Sequence, residues 1–286
     1  MISSTAVEDV SYDDVVRMMV GRDIKDFFVK SQISKQREVL SVEDVSLIHP
    51  IHSGEYLVDH ISFNVKQGEV LGIFGLMGAG RTELLETIFG MHHNRSSGKI
   101  LLEGKEVNIR SPKDALDCGI GLVPEDRRLL GLVLFMSVGA NISLANLKRA
   151  ERFSFLSNRL EKAMVGNYIN RLAIKTTSVQ QTVEALSGGN QQKVVIAKWL
   201  ATKPKVLLLD EPTRGVDVNA KNEIYRLISE LAEASLGIVV VSSELPEIMA
   251  VSDRIIVLSE AKKAGEFARS EATKELIMKA AIPKRG

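Results

Sequence analysis

One glycine-rich segment limits the possible folds of this chain more than any other feature. Residues 75–82 follow a wholly apolar run, 70–74, and lead into a helix-like segment, 81–89. A short apolar run is typical of a central parallel strand, because both faces of such a strand are buried. A strand, a glycine-rich turn and a helix in this order therefore predict an α/β fold with an anion-binding loop at the carboxyl end of a strand.

The remaining segments extend the same pattern. Strands that alternate with helices indicate a parallel core sheet, and a long helix-like stretch from about 126 to 200 indicates a second lobe. The other predicted elements are strands over 39–47, 61–65, 206–209, 238–241 and 255–258, a hairpin over 99–109 and helices over 190–200 and 220–232.

The glycine-rich segment carries the residues that a phosphate-binding loop needs. Glycines let backbone N–H groups turn toward phosphate oxygens, and the helix N-terminus adds its positive dipole end. Thr82 is placed to donate its oxygen to Mg²⁺, but Arg81 stands where a lysine is expected. Arginine keeps the charge and is planar and bulkier, so we expect altered nucleotide binding and impaired hydrolysis. The expected nucleotide contacts are Gly75, Gly78, Ala79, Gly80, Arg81, Thr82 and Glu83.

Two adjacent carboxylates end the apolar strand over 206–209. Asp210 lies where α/β sheets bind their ligands, and we expect it to hold Mg²⁺ directly or through water. Glu211 beside it is the candidate base that polarises the attacking water. Without the upstream loop, the same pair would equally well cap the next turn.

A second glycine pair precedes the predicted helix over 190–200. Ser187, Gly188 and Gly189 place backbone amides at a helix start, which makes a second anion site, with Asn190 as a further contact. One nucleotide does not need two such sites in one chain.

These segments together resemble the nucleotide-binding domain of an ATP-binding cassette (ABC) transporter, over about 38–268. The amino-acid sequences of 75–84, 186–193 and 210–218 are similar to those of the second nucleotide-binding half of bacterial sugar importers. The resemblance implies a P-loop NTPase fold with a parallel core sheet, an antiparallel β subdomain and a helical subdomain at about 126–200. It also implies ATP and Mg²⁺ as cofactors. It further implies a head-to-tail pair of cassettes, in which the signature of each (here residues 186–193) closes over the P-loop of the other (here residues 75–82).

Three residues depart from the family pattern, and all three fall on the chain's own nucleotide site. Arg81 replaces the P-loop lysine, Glu125 stands where a glutamine usually senses Mg²⁺ and γ-phosphate, and Ser243 stands where a histidine usually contacts γ-phosphate. The signature and Glu211 are retained. We therefore expect an asymmetric domain that completes a partner's site and keeps a weak or regulatory site of its own. The alternative is that the substitutions are tolerated and the site hydrolyses ATP normally.

Three functions fit this reading. The first is an ATP-hydrolysing subunit, or half-subunit, that energises carbohydrate import. The second is a cassette of DNA repair or translation, but the coiled-coil insertion or basic extension typical of those is not evident in the sequence. The third is a nucleotide-binding regulatory module, or a split-gene fragment, without turnover.

The bulk composition narrows the expected partners. With 37 Lys and Arg against 36 Asp and Glu the net charge is +1, so no strong field favours nucleic acid. No apolar run approaches the about 20 residues that cross a bilayer, so a membrane role is expected to come through a partner. The resemblance implies permease subunits, a second cassette (a second copy or a separate first half), an indirectly coupled periplasmic sugar-binding protein, and a peripheral place on the cytoplasmic face of the bacterial inner membrane.

The resemblance also divides the chain into parts. Residues 1–37 resemble the tail of a preceding cassette with a linker, including a helix-like stretch over 12–29. Residues 38–268 form the nucleotide-binding domain, and 269–286 form a C-terminal helical tail.

Overall fold

The computed structural model describes residues 37–52, 54–152 and 155–283, so the predicted helix over 12–29 and most of the predicted linker lie outside these residues. The strands in the described ranges are β1 Glu38–Ile48, β2 Tyr56–Lys66, β3 Val70–Gly75, β4 Ser96–Leu102, β5 Lys105–Val107, β6 Ile120–Val123, β7 Glu151–Arg152, β8 Phe155–Leu156, β9 Val206–Asp210, β10 Gly237–Ser242, β11 Arg254–Ser259 and β12 Lys262–Ala268. The helices are α1 Arg81–Ile88, α2 Pro112–Cys118, α3 Val138–Ser143, α4 Asn158–Arg171, α5 Gly188–Leu200, α6 Val218–Glu233, α7 Leu245–Val251 and α8 Lys274–Ala281. Short 3-10 segments cover His93–Arg95, Leu144–Ala150 and Val183–Ala185, and a π-helical turn covers Arg127–Gly131.

A six-stranded sheet forms the centre of the molecule, in the order β12-β11-β3-β10-β9-β6. The five strands from β11 to β6 pair in parallel, and β12 closes one edge antiparallel to β11. β10 lies between β3 and β9, so Val240 pairs with Gly72 on one side and with Leu209 on the other. The carboxyl ends of β3, β10 and β9 therefore meet at one edge of the sheet, although they are far apart in sequence.

The two faces of the central sheet pack against different partners. Alternate residues of β3 point to opposite faces. Leu71 and Ile73 lie in a core shared with α1 and the antiparallel sheet β2-β1-β4-β5. Val70 and Phe74 lie in a core shared with α3 to α8. Period-two alternation in a strand that is buried on both faces produces this split. The helical region thus shares one hydrophobic core with the sheet.

The predicted α/β class, the parallel core and the antiparallel β part are confirmed by these elements. The sequence analysis missed α2, β6, α7 and β12. β6 has four residues and β12 alternates exposed and half-buried positions at the sheet edge, so neither shows a long apolar run. The helical region also contains the two-stranded pair β7-β8. None of the helices in the described ranges combines the length and apolar content that a membrane span requires.

The predicted C-terminal helix is present as α8 and its inner face is fully covered. Ile277 and Ala281 are 0% and 1% exposed and belong to the same core as the sheet. The boundary placed at 268 stays a prediction, but α8 contributes to the packing of the preceding residues.

Replacing Ile277 by alanine is expected to lower the free energy of unfolding by about 2–5 kcal/mol, because the side chain is fully buried and its loss leaves a cavity. Urea unfolding followed by circular dichroism measures the change. Leu276→Ala is the matched control, because Leu276 is 45% exposed and its loss should cost about 0.5 kcal/mol or less. Equal effects of the two substitutions would contradict the packing of α8.

Candidate functional site

The glycine-rich loop makes a tight turn into α1. Gly78 and Gly80 have φ values of 79° and 86°, a region that L side chains rarely adopt. A Cβ on Gly80 would lie 2.2 Å from the carbonyl oxygen of Leu57, so only glycine fits there. Ala79 is buried and its N–H donates to the carbonyl of Leu76 at 3.1 Å. The first N–H groups of a helix have no intrahelical acceptor, which leaves those of α1 suited to an anion.

Asp210 is the residue whose surroundings best fit a bound cation. It is 2% exposed, and its Oδ1 is buried without a hydrogen-bond partner among the described residues. Burial raises the pKa of Asp210 to about 7, and a hydrogen bond with Thr82 works in the opposite direction. A hydroxyl and a carboxylate oxygen are ligands that Mg²⁺ accepts, with phosphate and water completing its shell. Among the described residues no cluster of three or more His, Cys, Asp or Glu could hold a metal, so phosphate and water would have to complete the shell.

Arg81 and Glu211 form a buried ion pair. Arg81 Nη1 lies 3.0 Å from Glu211 Oε1, and the two side chains are only 12% and 9% exposed. Glu211 has a φ of 44°, in the left-handed region, which directs the residue out of the strand at the sheet edge. The candidate base is therefore bound by the residue that replaces the expected lysine.

The end of β10 completes the surroundings of Glu211. The main-chain N–H of Ser243 donates to Glu211 Oε1 at 2.8 Å, while the Ser243 side chain is exposed. Ser242 Oγ lies 3.2 Å from Glu211 Oε2 and 2.6 Å from Oε2 of Glu247. A hydroxyl has one proton, so Ser242 donates to one carboxylate at a time. Oε1 of Glu211 thus receives two donors, and Ser243 acts here through its backbone.

Glu247 is a buried carboxylate that the sequence analysis did not identify. It is 1% exposed in α7, and Thr213 Oγ1 donates to its Oε1 at 2.9 Å. Burial raises the pKa of Glu247 to about 7, while the hydrogen bonds of Ser242 and Thr213 lower it. Its position four residues after Ser243 gave no signal, because an acidic residue in the first turn of a helix ordinarily faces solvent.

Glu125 is not brought to the glycine-rich loop by any described contact. It forms an ion pair with Arg214, in the loop between β9 and α6. Arg214 is 66% exposed on its side chain and Glu125 is 35% exposed. The charge of Glu125 is therefore partly neutralised at the edge of the helical region.

The signature segment lies at the start of α5. Ser187 is exposed and its Oγ accepts a hydrogen bond from Asn190 Nδ2 at 2.9 Å. A Cβ on Gly189 would lie 2.5 Å from Cβ of Ala220, so this glycine allows α5 and α6 to approach closely. Within the described ranges, no hydrogen bond or ion pair joins residues 187–190 to the glycine-rich loop. The service of the signature to a second nucleotide site stays a prediction.

Comparison with known proteins identifies relatives of this arrangement. A family model described as ABC transporter matches residues 58–214. A ribose import ATP-binding protein RbsA of Rhodopirellula baltica is 53% identical over 285 residues, which is 100% of this chain and 56% of that protein. A xylose import ATP-binding protein XylG of Geobacillus kaustophilus is 44% identical over 277 residues, which is 97% of this chain and 55% of that protein. The chain therefore spans about half the length of the curated relatives it matches.

Solved structures agree with the fold. A nucleotide-free ATP-binding cassette from an ABC transporter superposes with a TM-score of 0.71 at 20% identity, covering 86% of this chain and all of that one. A part of the ABC transporter complex cbiONQ from Clostridium perfringens superposes with a TM-score of 0.69 at 26% identity, covering 86% of this chain and 93% of that one. At the lower of these identities the likeness concerns the fold alone.

The buried Glu247 predicts a pH dependence of stability. Burial holds its pKa at about 7 in the folded chain, against an ordinary glutamate pKa of 4.5, so the folded state binds the proton more tightly. The stabilisation is fully present below about pH 4.5 and is lost as the pH rises through 7. Glu247→Gln removes this titration. Between pH 4.5 and 8 the unfolding free energy of the wild type should therefore fall by more than that of Glu247→Gln, and the two falls should differ by up to about 3 kcal/mol.

Urea unfolding at a series of pH values measures this difference. Asp210 titrates in the same range and is present in both proteins, so it cancels. Glu230→Gln is the control, because Glu230 is 59% exposed in α6. Parallel curves for wild type and Glu247→Gln would show that the carboxylate is not perturbed.

Proposed function

The chain belongs to the ABC transporter family, and we propose that it binds Mg-ATP and energises the import of a carbohydrate. The relatives named as ribose and xylose import ATP-binding proteins support a sugar as cargo. Their length, almost twice that of this chain, supports a cassette that works beside another one. We place the cassette pair on the cytoplasmic face of a bacterial inner membrane, bound to permease subunits and served by a sugar-binding protein.

The residues of the site fit the nucleotide and its metal. Gly75, Gly78 and Gly80, with Ala79, leave the amides at the start of α1 free to surround phosphate oxygens. Thr82 and Asp210 would hold Mg²⁺, and the unpaired Oδ1 of Asp210 supports this assignment. The ion neutralises charge on the phosphate oxygens when it is bound. Glu83, in the first turn of α1, completes the proposed binding segment.

The Arg81–Glu211 ion pair supports the proposal that this chain's own nucleotide site hydrolyses ATP more weakly than the partner site that the chain completes. A general base must offer a free lone pair to the attacking water. Glu211 Oε1 already accepts from Arg81 and from the N–H of Ser243, so only Oε2, which lies 3.2 Å from Ser242 Oγ, is left to polarise the attacking water. An N–H of Arg81 that donates to Glu211 is not available to a phosphate oxygen, so fewer donors of the guanidinium remain for the nucleotide. The domain's own site is therefore a nucleotide-binding site with weak hydrolysis.

The signature serves the site of a second cassette. Ser187 is exposed and Gly188 and Asn190 are half-buried, so the helix start that they form with Gly189 can be reached by a partner's γ-phosphate. The partner is a second copy of this chain or the other half of a longer protein. Leu129, Leu130 and Phe135, which are 80%, 64% and 83% exposed, support permease contact through the region around 127–142, since exposed apolar clusters mark interaction sites.

A regulatory nucleotide-binding module without turnover is the second candidate. The same ion pair favours it, because a bound base could keep the site closed to hydrolysis whatever the partner does. The two candidates differ in what happens when a cassette with an intact site is supplied. Turnover at that site supports the energising function, and absence of turnover supports the module.

Replacing Arg81 by lysine is expected to raise Mg-ATP turnover at this chain's own site by about tenfold or more, within the range of general-base effects. The compact ammonium can bind phosphate and releases Glu211 Oε1. Steady-state phosphate release by wild type and Arg81→Lys, over a range of chain concentrations, measures the effect. Arg226→Lys makes the same chemical change at a 66% exposed site and should behave as wild type.

Three outcomes decide the proposal. Activity gained in Arg81→Lys and lost again on adding Glu211→Gln supports a restrained base. Wild-type turnover equal to that of Arg81→Lys, with Glu211 required, contradicts the asymmetry. Failure of the wild type to bind Mg-ATP in equilibrium titration contradicts the nucleotide site itself.

A further inference from the structure

The guanidinium of Arg127 connects two segments that are far apart in sequence. Arg127 begins the π-helical turn Arg127–Gly131. Its Nη1 donates to the carbonyl oxygen of Arg214 at 2.6 Å, and its Nη2 donates to that of Gly215 at 3.0 Å. Both acceptors belong to the loop of residues 214–217 between β9 and α6, called the interface loop here. One planar group thus fixes two successive carbonyls of a loop.

The same guanidinium lies against the first glycine of the signature. A Cβ on Gly188 would lie 2.8 Å from Arg127 Nη2 and 3.1 Å from the carbonyl oxygen of Gly215. Any larger residue at 188 would therefore displace Arg127, the interface loop or both. The start of α5, the guanidinium and the interface loop are packed in direct contact.

Hydrogen bonds to two carbonyl oxygens hold the Arg127 guanidinium in place. Its Nε is buried and has no hydrogen-bond partner in the described part of the chain. Burial lowers its pKa, while nearby Asp126 acts in the opposite direction. A cation without a carboxylate at its guanidinium is costly to bury, so the two carbonyl bonds must offset that cost. The planar fork of arginine makes two such bonds at once, and lysine does not.

The far end of the turn is fixed as well. Lys198, in α5 and 8% exposed, donates from Nζ to the carbonyl oxygen of Gly131 at 2.5 Å. A Cβ on Gly131 would lie 3.0 Å from Cγ2 of Val195, so the turn also packs closely on α5. The turn is therefore tied to α5 at one end and to the interface loop at the other. An ion pair between Glu125 and Arg214 adds a second tie to that loop.

We propose that Arg127 is a positioning residue that locks the interface loop to the start of the signature helix, so that the two segments move as one body. The functional part rests on the proposed pairing of cassettes, in which the signature faces the partner's nucleotide, and it assigns the interface loop to the same boundary. Two elements that contact one nucleotide must keep a fixed spacing for productive geometry. Gly215 has a φ of 65°, a region that L side chains rarely adopt, and its carbonyl oxygen is one of the two that Arg127 binds.

Amide hydrogen exchange on the whole chain tests the lock without any partner. The reporters are hydrogen-bonded amides on both sides: Arg214 to Glu211 O at 3.1 Å, Val216 to Thr213 O at 3.2 Å and Gln191 to Ser187 O at 2.9 Å. In Arg127→Ala and Arg127→Lys, exchange at all three should become about tenfold faster, because each charge-assisted bond contributes on the order of this factor or more. Arg128→Ala, at the exposed next residue, should leave them unchanged.

The exchange results separate positioning from general support of the fold. Faster exchange confined to the two segments, with β9 amides still protected, supports the lock. Equal loosening of β9 would mean that Arg127 only stabilises the fold, and unchanged exchange would mean that it restrains nothing. Wild-type behaviour of Arg127→Lys would show that charge suffices, which contradicts the role of the fork.

A kinetic measurement on the assembled cassette pair tests the consequence. At the site completed by this chain's signature, kcat should fall about tenfold in Arg127→Lys with KM for ATP nearly unchanged, as for an interaction made in the transition state. Mg-ATP binding at this chain's own loop should not change. Loosened segments with an unchanged kcat would overturn the positioning role. A wild-type pair without turnover would overturn the proposed function, while the exchange experiment would still decide the lock.

Discussion

The position of β10 between β3 and β9 is the constraint on which the rest of the candidate site depends. Parallel pairing on both sides of β10 fixes the registers of all three strands, and their carboxyl ends share one edge of the sheet. The loop after β3, Ser242 and Asp210 are thereby placed side by side. Hydrogen bonds then form between side chains that are 130 residues apart in sequence, as between Arg81 and Glu211.

The ion pair between Arg81 and Glu211 is the chemical consequence of the arginine that stands where a lysine is expected in the glycine-rich loop. Burying two charges costs desolvation energy that their attraction offsets only with good geometry and further hydrogen bonds. Glu211 has these further bonds from Ser242 and Ser243, so the pair is a supported arrangement. A phosphate group that entered the loop would share the guanidinium of Arg81 with this carboxylate. The proposed nucleotide site and the candidate base therefore draw on the same cation.

The helical region is joined to the sheet by more than its loops. Its apolar side chains belong to the same core as one face of the sheet, so the two parts exclude water from a common interior. Arg127 and Lys198 add polar ties at the surface of that core, one to the interface loop and one within α5 and its neighbouring turn. The turn that carries the exposed Leu129 and Leu130 is thus bonded both to the signature helix and to the interface loop.

The sequence by itself determined the fold class, most strands, the glycine-rich loop, Asp210 with Glu211, and the signature, because local periodicity and fixed motif spacing carry that information. It also identified Arg81 as a substitution, but not the residue that Arg81 binds. Only the tertiary structure decided that Arg81 holds Glu211, that Ser243 contributes its backbone N–H, that Glu247 is buried and that Arg127 touches Gly188. These contacts join segments from different strands and lobes, and side-chain partners across such distances depend on sheet order and packing, which no local pattern encodes.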